Sequence, residues 1–441
     1  MKNIFLLPFL LFLGLMLFSC ANNDNAPITD DNPSGENPTD DAPTDDDPSG
    51  TGEKAGTVEL INADLAYDGY ILINDAGANR VYLMDKEATI VHEWDLQSGI
   101  GNDVELLPNG QLLAILIADD PKIAYGGQGG KLQFVNPDNS VAWNFDYSTE
   151  EYITHHDVEL LPNGNVITIV WEKRTAEEAN MAGSELDIDV FPEAIIEVNP
   201  NTDEIVWEWH AWDHLVQDFD DTKENFGSLA ANPQLIDLNY VLDKEGDIMH
   251  ANGIEYDEVN DLIYLSVNFY SEVWVIDHST TTEEAMSHSG GTYGVGGDLV
   301  YRFGNPETYG NPMGNRLFHN NHHPRLLSGV DQGKISIFSN GNDILQSTAY
   351  ELLLPNPLSL FPNTDNEPTE AWSFTDPDLY SGRVSGVVRL PNGNRLITEG
   401  DFGAWEVTEA GEVVWKFSAQ GFFWRSYQYP KDDPAIQALG L

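Results

Sequence analysis

The strings VELLPNGQLLAIL (104–116), VELLPNGNVITIV (158–170) and VVRLPNGNRLITE (387–399) are three copies of one hairpin. Each sets two β-rich runs around a Pro-Asn-Gly turn, where Asn and Gly accept the positive φ that a tight turn demands. IEYDEVNDLIYLSV from Ile254 keeps the frame, with Val259-Asn260-Asp261 at the turn, and LLSGVDQGKISIF from Leu326 is a looser copy. A second hairpin follows most copies and ends in an aromatic-rich closing strand, around Trp94, Trp143, Trp207, Tyr301, Trp372 and Trp415. A two-hairpin unit recurring every roughly forty to ninety residues is a propeller pattern. Six closing strands predict an all-β fold, a six-bladed β-propeller over residues 57–441. Pairing of 57–62 with the last blade, around 403–417, is expected to shut the ring. The closing-strand aromatics are read as packing between blades. Helical periodicity is confined to 175–181.

Composition narrows the function. The 441-residue chain has 20 Lys+Arg against 73 Asp+Glu, a formal net charge of −53. Such a charge argues against nucleic acid and against electrostatic binding to anionic lipid. The single cysteine, Cys20, excludes intramolecular disulfides and thiolate metal clusters. It ends a leader: Met1-Lys2-Asn3, an apolar run over 4–18, then Ser19-Cys20. That is a secretory signal, too short for a spanning helix. Leu17-Phe18-Ser19-Cys20 resembles the bacterial lipobox, whose cysteine is acylated, although Phe18 is bulkier than usual there. Residues 1–20 are therefore expected to be a lipoprotein signal peptide with Cys20 as the lipidation site. The protein is expected to be exported and held on the bacterial cell envelope, at the periplasmic face or cell surface, by that lipid alone. Residues 21–56, rich in Asp and Pro with few apolar side chains, read as a disordered tether.

The repeat locates a site. In a propeller the first strand of each blade lines the central channel, so residues just before each copy of the hairpin share one mouth. They are Gly101-Asn102-Asp103, Thr154-His155-His156-Asp157, His250-Ala251-Asn252-Gly253, His322-His323-Pro324 and Arg383-Val384-Ser385-Gly386. Five of the 11 histidines fall in this register, from three blades, with Arg383 from a fourth and Arg325 beside His323. A neutral imidazole is a base or nucleophile near pH 7, and a charged one binds anions. Convergence from distant positions is what a site requires. Three imidazoles, His156, His250 and His323, also have the composition of a His₃ metal centre.

Two other stretches are set apart. His210 and His214 lie four residues apart, followed by Asp218, Asp220 and Asp221; they are expected on a loop over the channel mouth, with Trp209 or Trp212 in reach of a substrate. The glycine-rich 287–297 lacks the GK[ST] ending of a nucleotide loop and reads as a flexible loop.

A likeness then emerges over most of 57–441. DIMHANGIEYDEVNDLIYLSVNFYSEVWVID (247–277), followed by NHHPRLL and ISIFSNGND (321–343), resembles the bacterial arylsulfate sulfotransferases. The resemblance implies a six-bladed, exported propeller that moves a sulfuryl group between phenols through a sulfohistidine, without a nucleotide donor. By the same resemblance His323 corresponds to the nucleophile, His250 and His156 to the other catalytic histidines, and the partners to an aryl sulfate and a phenol. It implies no cofactor and no metal. Asn268 stands where the family has an arginine that holds sulfate oxygens, which leaves Asn268, Arg383, Arg325, His155 and His322 as the substrate-binding candidates. Phe269 and Tyr270 are further candidates, with Trp209 and Trp212, for stacking on an aryl ring. A non-catalytic propeller binding a small anion, glycan or peptide, or a His-ligated metal hydrolase or lyase, fits the same mouth.

Overall fold

The computed structural model describes residues 52–441; the leader, Cys20 and most of the acidic stretch lie outside the described residues. Strands follow one another as antiparallel meanders. Ile100–Leu106, Leu112–Ile117, Gly130–Val135 and Val141–Asp146 form one run, and Tyr152–Leu160, Val166–Glu172, Glu193–Asn199 and Glu204–His210 another. A single parallel pairing, Asn102 with His156, joins these two runs into an eight-stranded sheet. Two four-stranded sheets follow, from Ala251–Asp257 to Tyr301–Phe303 and from Asn321–Leu326 to Thr369–Phe374.

The chain ends close the arrangement. Thr57–Ile61 pairs with Val413–Ser418 as the fifth, outer strand of the last sheet, in the register Thr57 to Ser418 and Val58 to Phe417. The C-terminal Phe423–Tyr429 supplies the first strand of the sheet that continues through Tyr70–Asp75, Arg80–Met84 and Ile90–Trp94. The sequence pattern anticipated the first of these seams and not the second. The innermost strands, Ile100–Leu106, Tyr152–Leu160, Ala251–Asp257, Asn321–Leu326, Gly386–Arg389 and Phe423–Tyr429, touch in a closed circuit, so the architecture is all-β and propeller-like.

Burial follows position in the sheet. Leu112–Ile117 is buried along both faces because neighbouring sheets cover it on each side. The closing strand Val141–Asp146 is mostly exposed. Burying one such Leu or Ile contributes about 1.5–3 kcal/mol. Closing-strand aromatics seal the joints as expected. Trp415, fully buried, donates its indole N–H to Lys86 O at 2.9 Å, and the Lys86 ammonium sits 4.3 Å from the Trp415 ring and 2.6 Å from Glu406.

Local rules account for the few helices. Ala176–Ala182 starts at a capping box between Thr175 and Glu178 and stops at Gly183, at φ 94°. Among the described residues no helix is long and apolar enough to cross a membrane. Residues just before 57 also pair with the rest of the fold. Ala55 N–H donates to Ala88 O and Ile90 N–H to Glu53 O, while Lys54 reaches Glu87 O at 2.6 Å. Backbone pairing, which composition does not reveal, decides this.

Four of the five residues of Thr57–Ile61 are exposed, whereas the first five of Phe423–Tyr429 are buried. Truncation at 422 is therefore expected to abolish the cooperative thermal transition seen by circular dichroism. Removal of 52–62 is expected to lower the Tm by roughly 5 °C or less, with some self-association through the uncovered edge.

Candidate active site

The innermost strands are irregular where the sequence converges. The pairing slips between Ile100 and Val104, across His155–Val158, between Ala251 and Gly253, and between His322 and Arg325. At or just before these strands' irregular starts the backbone turns left-handed at residues other than glycine: φ is 106° at Asn102, 60° at His156 and 59° at His323, inside the slips, 55° at His250, one residue before a slip, and 84° at Ser385, one residue before its strand. A bulge lifts a residue out of the ladder and re-aims its side chain. Each left-handed residue costs roughly 1–2 kcal/mol. Repetition of that cost in successive sheets marks a lining shaped for its side chains. Space is made in the same way: a Cβ at Gly386 would stand 2.2 Å from His323 Nδ1.

Four imidazoles meet at the mouth. The His156 ring lies 4.8 Å from that of His250 and 5.1 Å from that of His155, edge to face. Trp424 packs against His156 at 5.4 Å and His322 at 5.7 Å, which places His322 in the same group. His155 stacks flat on Trp171 at 3.7 Å, and His250 on Phe269 at 4.6 Å.

Partners behind the rings orient them, and at His322 one fixes the tautomer. Asn340 Nδ2 donates to Ser381 O and Val384 O, so its Oδ1 faces His322 Nδ1 at 2.6 Å and must accept from it. The Nε2 of a neutral His322 then carries the lone pair. His250 Nδ1 is held by Asp247. Glu193, His155 and His156 form a line: Glu193 Oε2 to His155 Nε2 at 2.8 Å, then His155 Nδ1 to His156 Nδ1 at 2.8 Å. One proton moved along this line switches His156 Nε2 between acceptor and donor. Burial, then neighbouring His250, pushes His155 well below the usual imidazole range; burial followed by His250, His155 and His322 does the same to His156. Burial and the adjoining Asp247 push Glu193 up.

A second layer lies under the mouth. Arg425 contacts Asp157 at 2.8 Å and Asp103 at 3.4 Å and donates to Asn252 O at 3.0 Å. Arg325 pairs with Glu105 at 3.2 Å and Glu255 at 3.1 Å. His323 belongs to this layer. Its ring stands 5.8 Å from Tyr427, both nitrogens are buried without a hydrogen-bond partner, and burial followed by Arg425 and Arg325 holds it well below the usual range. Buried N–H donors without an acceptor are also found at Asn102 Nδ2, Trp424 Nε1 and Arg425 Nε. Each such donor costs about 1–3 kcal/mol until an acceptor arrives. A group of them beside neutral imidazoles suits an oxyanion, with a nucleophile and a proton carrier at hand.

The remaining expected residues are placed as follows. Asn268 is buried and committed: its Nδ2 donates to Asn321 O at 3.2 Å and its Oδ1 accepts from Asn320 at 2.8 Å. Arg383 is half-exposed, paired with Asp401 at 2.7 Å and lying over Phe422. Trp209 is buried and donates to Gly297 O, Tyr270 donates to Asp237 O, and Trp212 lies beside Arg174, so of the aromatic candidates only Phe269 reaches the histidines. His210 is engaged by Glu172 at 2.9 Å; burial opposes its charge, yet Glu172 and Glu208 lift it to about 9. The His₃ centre is not formed: among the described residues the trio whose ligand atoms come within 4.8 Å of one another is His214, His288 and Asp298.

Arg425, Trp424 and Trp171 escaped the sequence reading. For the first two the signal was present: FFWRSYQY (422–429) is a β-rich run after the last closing strand. Clefts of about 790 and 500 Å³ lie by the hairpin turns at 257–260, 326–333 and 388–393, and no histidine lines them.

Among solved structures the chain is similar to a protein of unknown function from Bacteroides caccae, with TM-score 0.49 and 13% identity over 82% of this chain and 99% of that one. It is also similar to a putative 6-phosphogluconolactonase from Bacteroides fragilis, with TM-score 0.42 and 11% identity over 83% of this chain and 99% of that one. No curated protein matches. The Arylsulfotransferase (ASST) family model matches residues 103–420, from the first bulged strand to the last closing strand. The chain that brings these histidines together belongs to the arylsulfotransferase family.

Proposed function

We propose that this chain is a six-bladed arylsulfate sulfotransferase, tethered to the cell envelope through Cys20. In this reading it moves a sulfuryl group from a phenolic sulfate ester to a phenol through a sulfohistidine, without a nucleotide. The observation that carries the proposal is the set of imidazoles held from behind, His322 by Asn340 and His156 by a proton line, beside buried N–H donors that have no acceptor.

Roles follow from the hydrogen bonds that orient each ring. His322, with Nδ1 held by Asn340, attacks sulfur through Nε2; an N–S bond forms as the S–O bond to the aryl oxygen breaks. The departing phenolate takes the proton of His156 Nε2–H, and Glu193 and His155 shift protons behind it. In the second half-reaction the phenol oxygen attacks sulfur, its proton passes to His156, and the N–S bond breaks. His323, assigned as nucleophile by the sequence resemblance, serves in this reading as a support between the mouth and Arg425, because Asn340 orients the His322 ring and no hydrogen bond orients that of His323. Arg425 supplies the positive charge that Asn268 lacks. The aryl ring lies against Trp424 or Phe269.

Mass spectrometry of the chain exposed to an aryl sulfate without acceptor should find one added sulfuryl group on His322. His322→Ala should remove adduct and turnover together, and His323→Ala should keep the adduct while slowing turnover. An adduct on His323 would restore the assignment made from the sequence, and absence of any adduct would favour a binding propeller. His156→Ala should lower kcat by roughly a hundredfold. Because His155 and His156 are held below the usual range, kcat/KM should not titrate near pH 6.5, and its acid limb should lie at lower pH. Cys20→Ala should move the protein from the membrane to the soluble fraction; equal partition of the two proteins would remove the lipid anchor.

A further inference from the structure

Outside the channel, among the described residues, one cluster brings three metal-ligating side-chain atoms within 4.8 Å of one another. His214 is fully buried at the end of the short 3-10 turn Ala211–His214, in the segment after the closing strand Glu204–His210. His288 and Asp298 flank the glycine-rich loop between Glu272–Asp277 and Tyr301–Phe303. Three ligand atoms converge: His214 Nδ1 lies 2.8 Å and His288 Nδ1 2.7 Å from the same Asp298 oxygen, Oδ1.

The tautomer of His214 is settled by its other nitrogen. Nε2 is 2.8 Å from Ala285 O, a carbonyl that can only accept, so Nε2 carries the hydrogen. A neutral His214 then presents the Nδ1 lone pair to a carboxylate oxygen that also has only lone pairs. Two acceptors at 2.8 Å repel each other, so this contact holds either a proton or, in its place, a metal ion. A carbonyl accepting the remote N–H of a buried imidazole is the usual support behind a metal-ligating histidine. The ring is further held by Trp209, stacked parallel at 5.9 Å, and by Gly297, where a Cβ would stand 2.5 Å from His214 Nε2 and 2.0 Å from Ala285 O.

The position is open on one side. The His288 side chain is 63% exposed, while those of His214 and Asp298 are 0% and 7% exposed. An ion can therefore enter from solvent past His288 and meet two ligands already in place. We propose that His214 Nδ1, His288 Nδ1 and Asp298 Oδ1 form a binding site for a late first-row divalent cation of the zinc type. Two imidazoles and a carboxylate suit zinc over calcium or magnesium, which prefer all-oxygen shells. A tetrahedral ion with bonds of about 2.0–2.1 Å needs ligand atoms roughly 3.3 Å apart. The atoms therefore have to spread by a few tenths of an ångström, and the exposed His288 is the one able to move. Water takes the fourth position. The ion would tie the loop at 287–297 to the segment that follows Glu204–His210, and so clamp two neighbouring sheets at their rim. It lies apart from the channel histidines and takes no part in sulfuryl transfer.

The test uses the purified full chain, stripped with chelator, dialysed against micromolar zinc and passed over a desalting column. Elemental mass spectrometry should find one zinc per chain in the wild type and in His156→Ala, and much less than one in His288→Ala and in Asp298→Asn. Zinc should raise the Tm of the wild type by about 3 °C or more and leave that of His288→Ala unchanged. Cobalt(II) should give visible absorption bands of a nitrogen- and oxygen-ligated tetrahedral ion in the wild type only. Because His288 is exposed, its alanine variant folds, and circular dichroism checks that. Equal zinc in wild type and His288→Ala, zinc lost with His156→Ala instead, or no retained zinc and no Tm shift, would each overturn the proposal.

Discussion

Apart from the one pairing of Asn102 with His156, the innermost strands have no ladder partner on their channel side, and their amides must find acceptors elsewhere. Carboxylates of the neighbouring sheet supply them. Asp157 accepts from Ile254 N at 2.7 Å, Glu159 from Tyr256 N at 2.9 Å, Glu255 from Leu326 N at 2.9 Å and Glu193 from Ala251 N at 2.7 Å. These bonds run from sheet to sheet and set the relative height of the strands. They also explain why an acidic residue stands inside the VELLPNG hairpin, at a position facing the channel and not the solvent. With the carboxylates in place the strands lie close enough for a bulge on one to present its side chain beside a bulge on the next.

That solution brings a charge problem with it. Asp103, Glu105, Asp157, Glu159 and Glu255 crowd one narrow space, and the chain places two of its few arginines among them. Arg425 answers Asp103 and Asp157, and Arg325 answers Glu105 and Glu255. A protein of net charge −53 thus keeps two buried, ion-paired guanidiniums in its centre. The arrangement also gives Arg425 two duties, since the nitrogen its carboxylates leave without an acceptor, Nε, lies in the layer directly beneath the histidines.

Much of this was legible in the chain. The closing aromatics found the fourth strand of each meander, and the register before each hairpin found His155, His156, His250, His322 and His323. What the register missed has physical causes. Phe423–Tyr429 has no hairpin of its own, because its partner Tyr70–Asp75 lies at the other end of the chain, and no local pattern predicts so distant a pairing. Arg425 went unseen with it. The choice of His322 over His323 remains part of the proposed reading and rests on which ring finds Asn340; one residue of slip in a bulged strand exchanges the two. Asn268 looked like an available donor because its two acceptors and donors, Asn320 and Asn321, come from another sheet.

Burial in the channel acts on its ionisable groups with opposite signs. His155, His156 and His323 are held below the ordinary value, so the unfolded chain binds protons there that the folded one does not. Their contribution to stability is complete above about pH 6.5 and is lost as pH falls from there through the folded values. Glu255 is pushed by burial up to about 7, and Glu193, Glu159 and Asp103 also rise. Their contribution is complete below about pH 4.3 and is lost as pH rises through the folded values. No single pH satisfies both sets. The left-handed histidines, the raised carboxylates and the unpaired N–H donors all sit in this one region, and each of them destabilises the empty protein. Strain of three independent kinds concentrated at one mouth is what a site shaped for a bound, charged reactant requires.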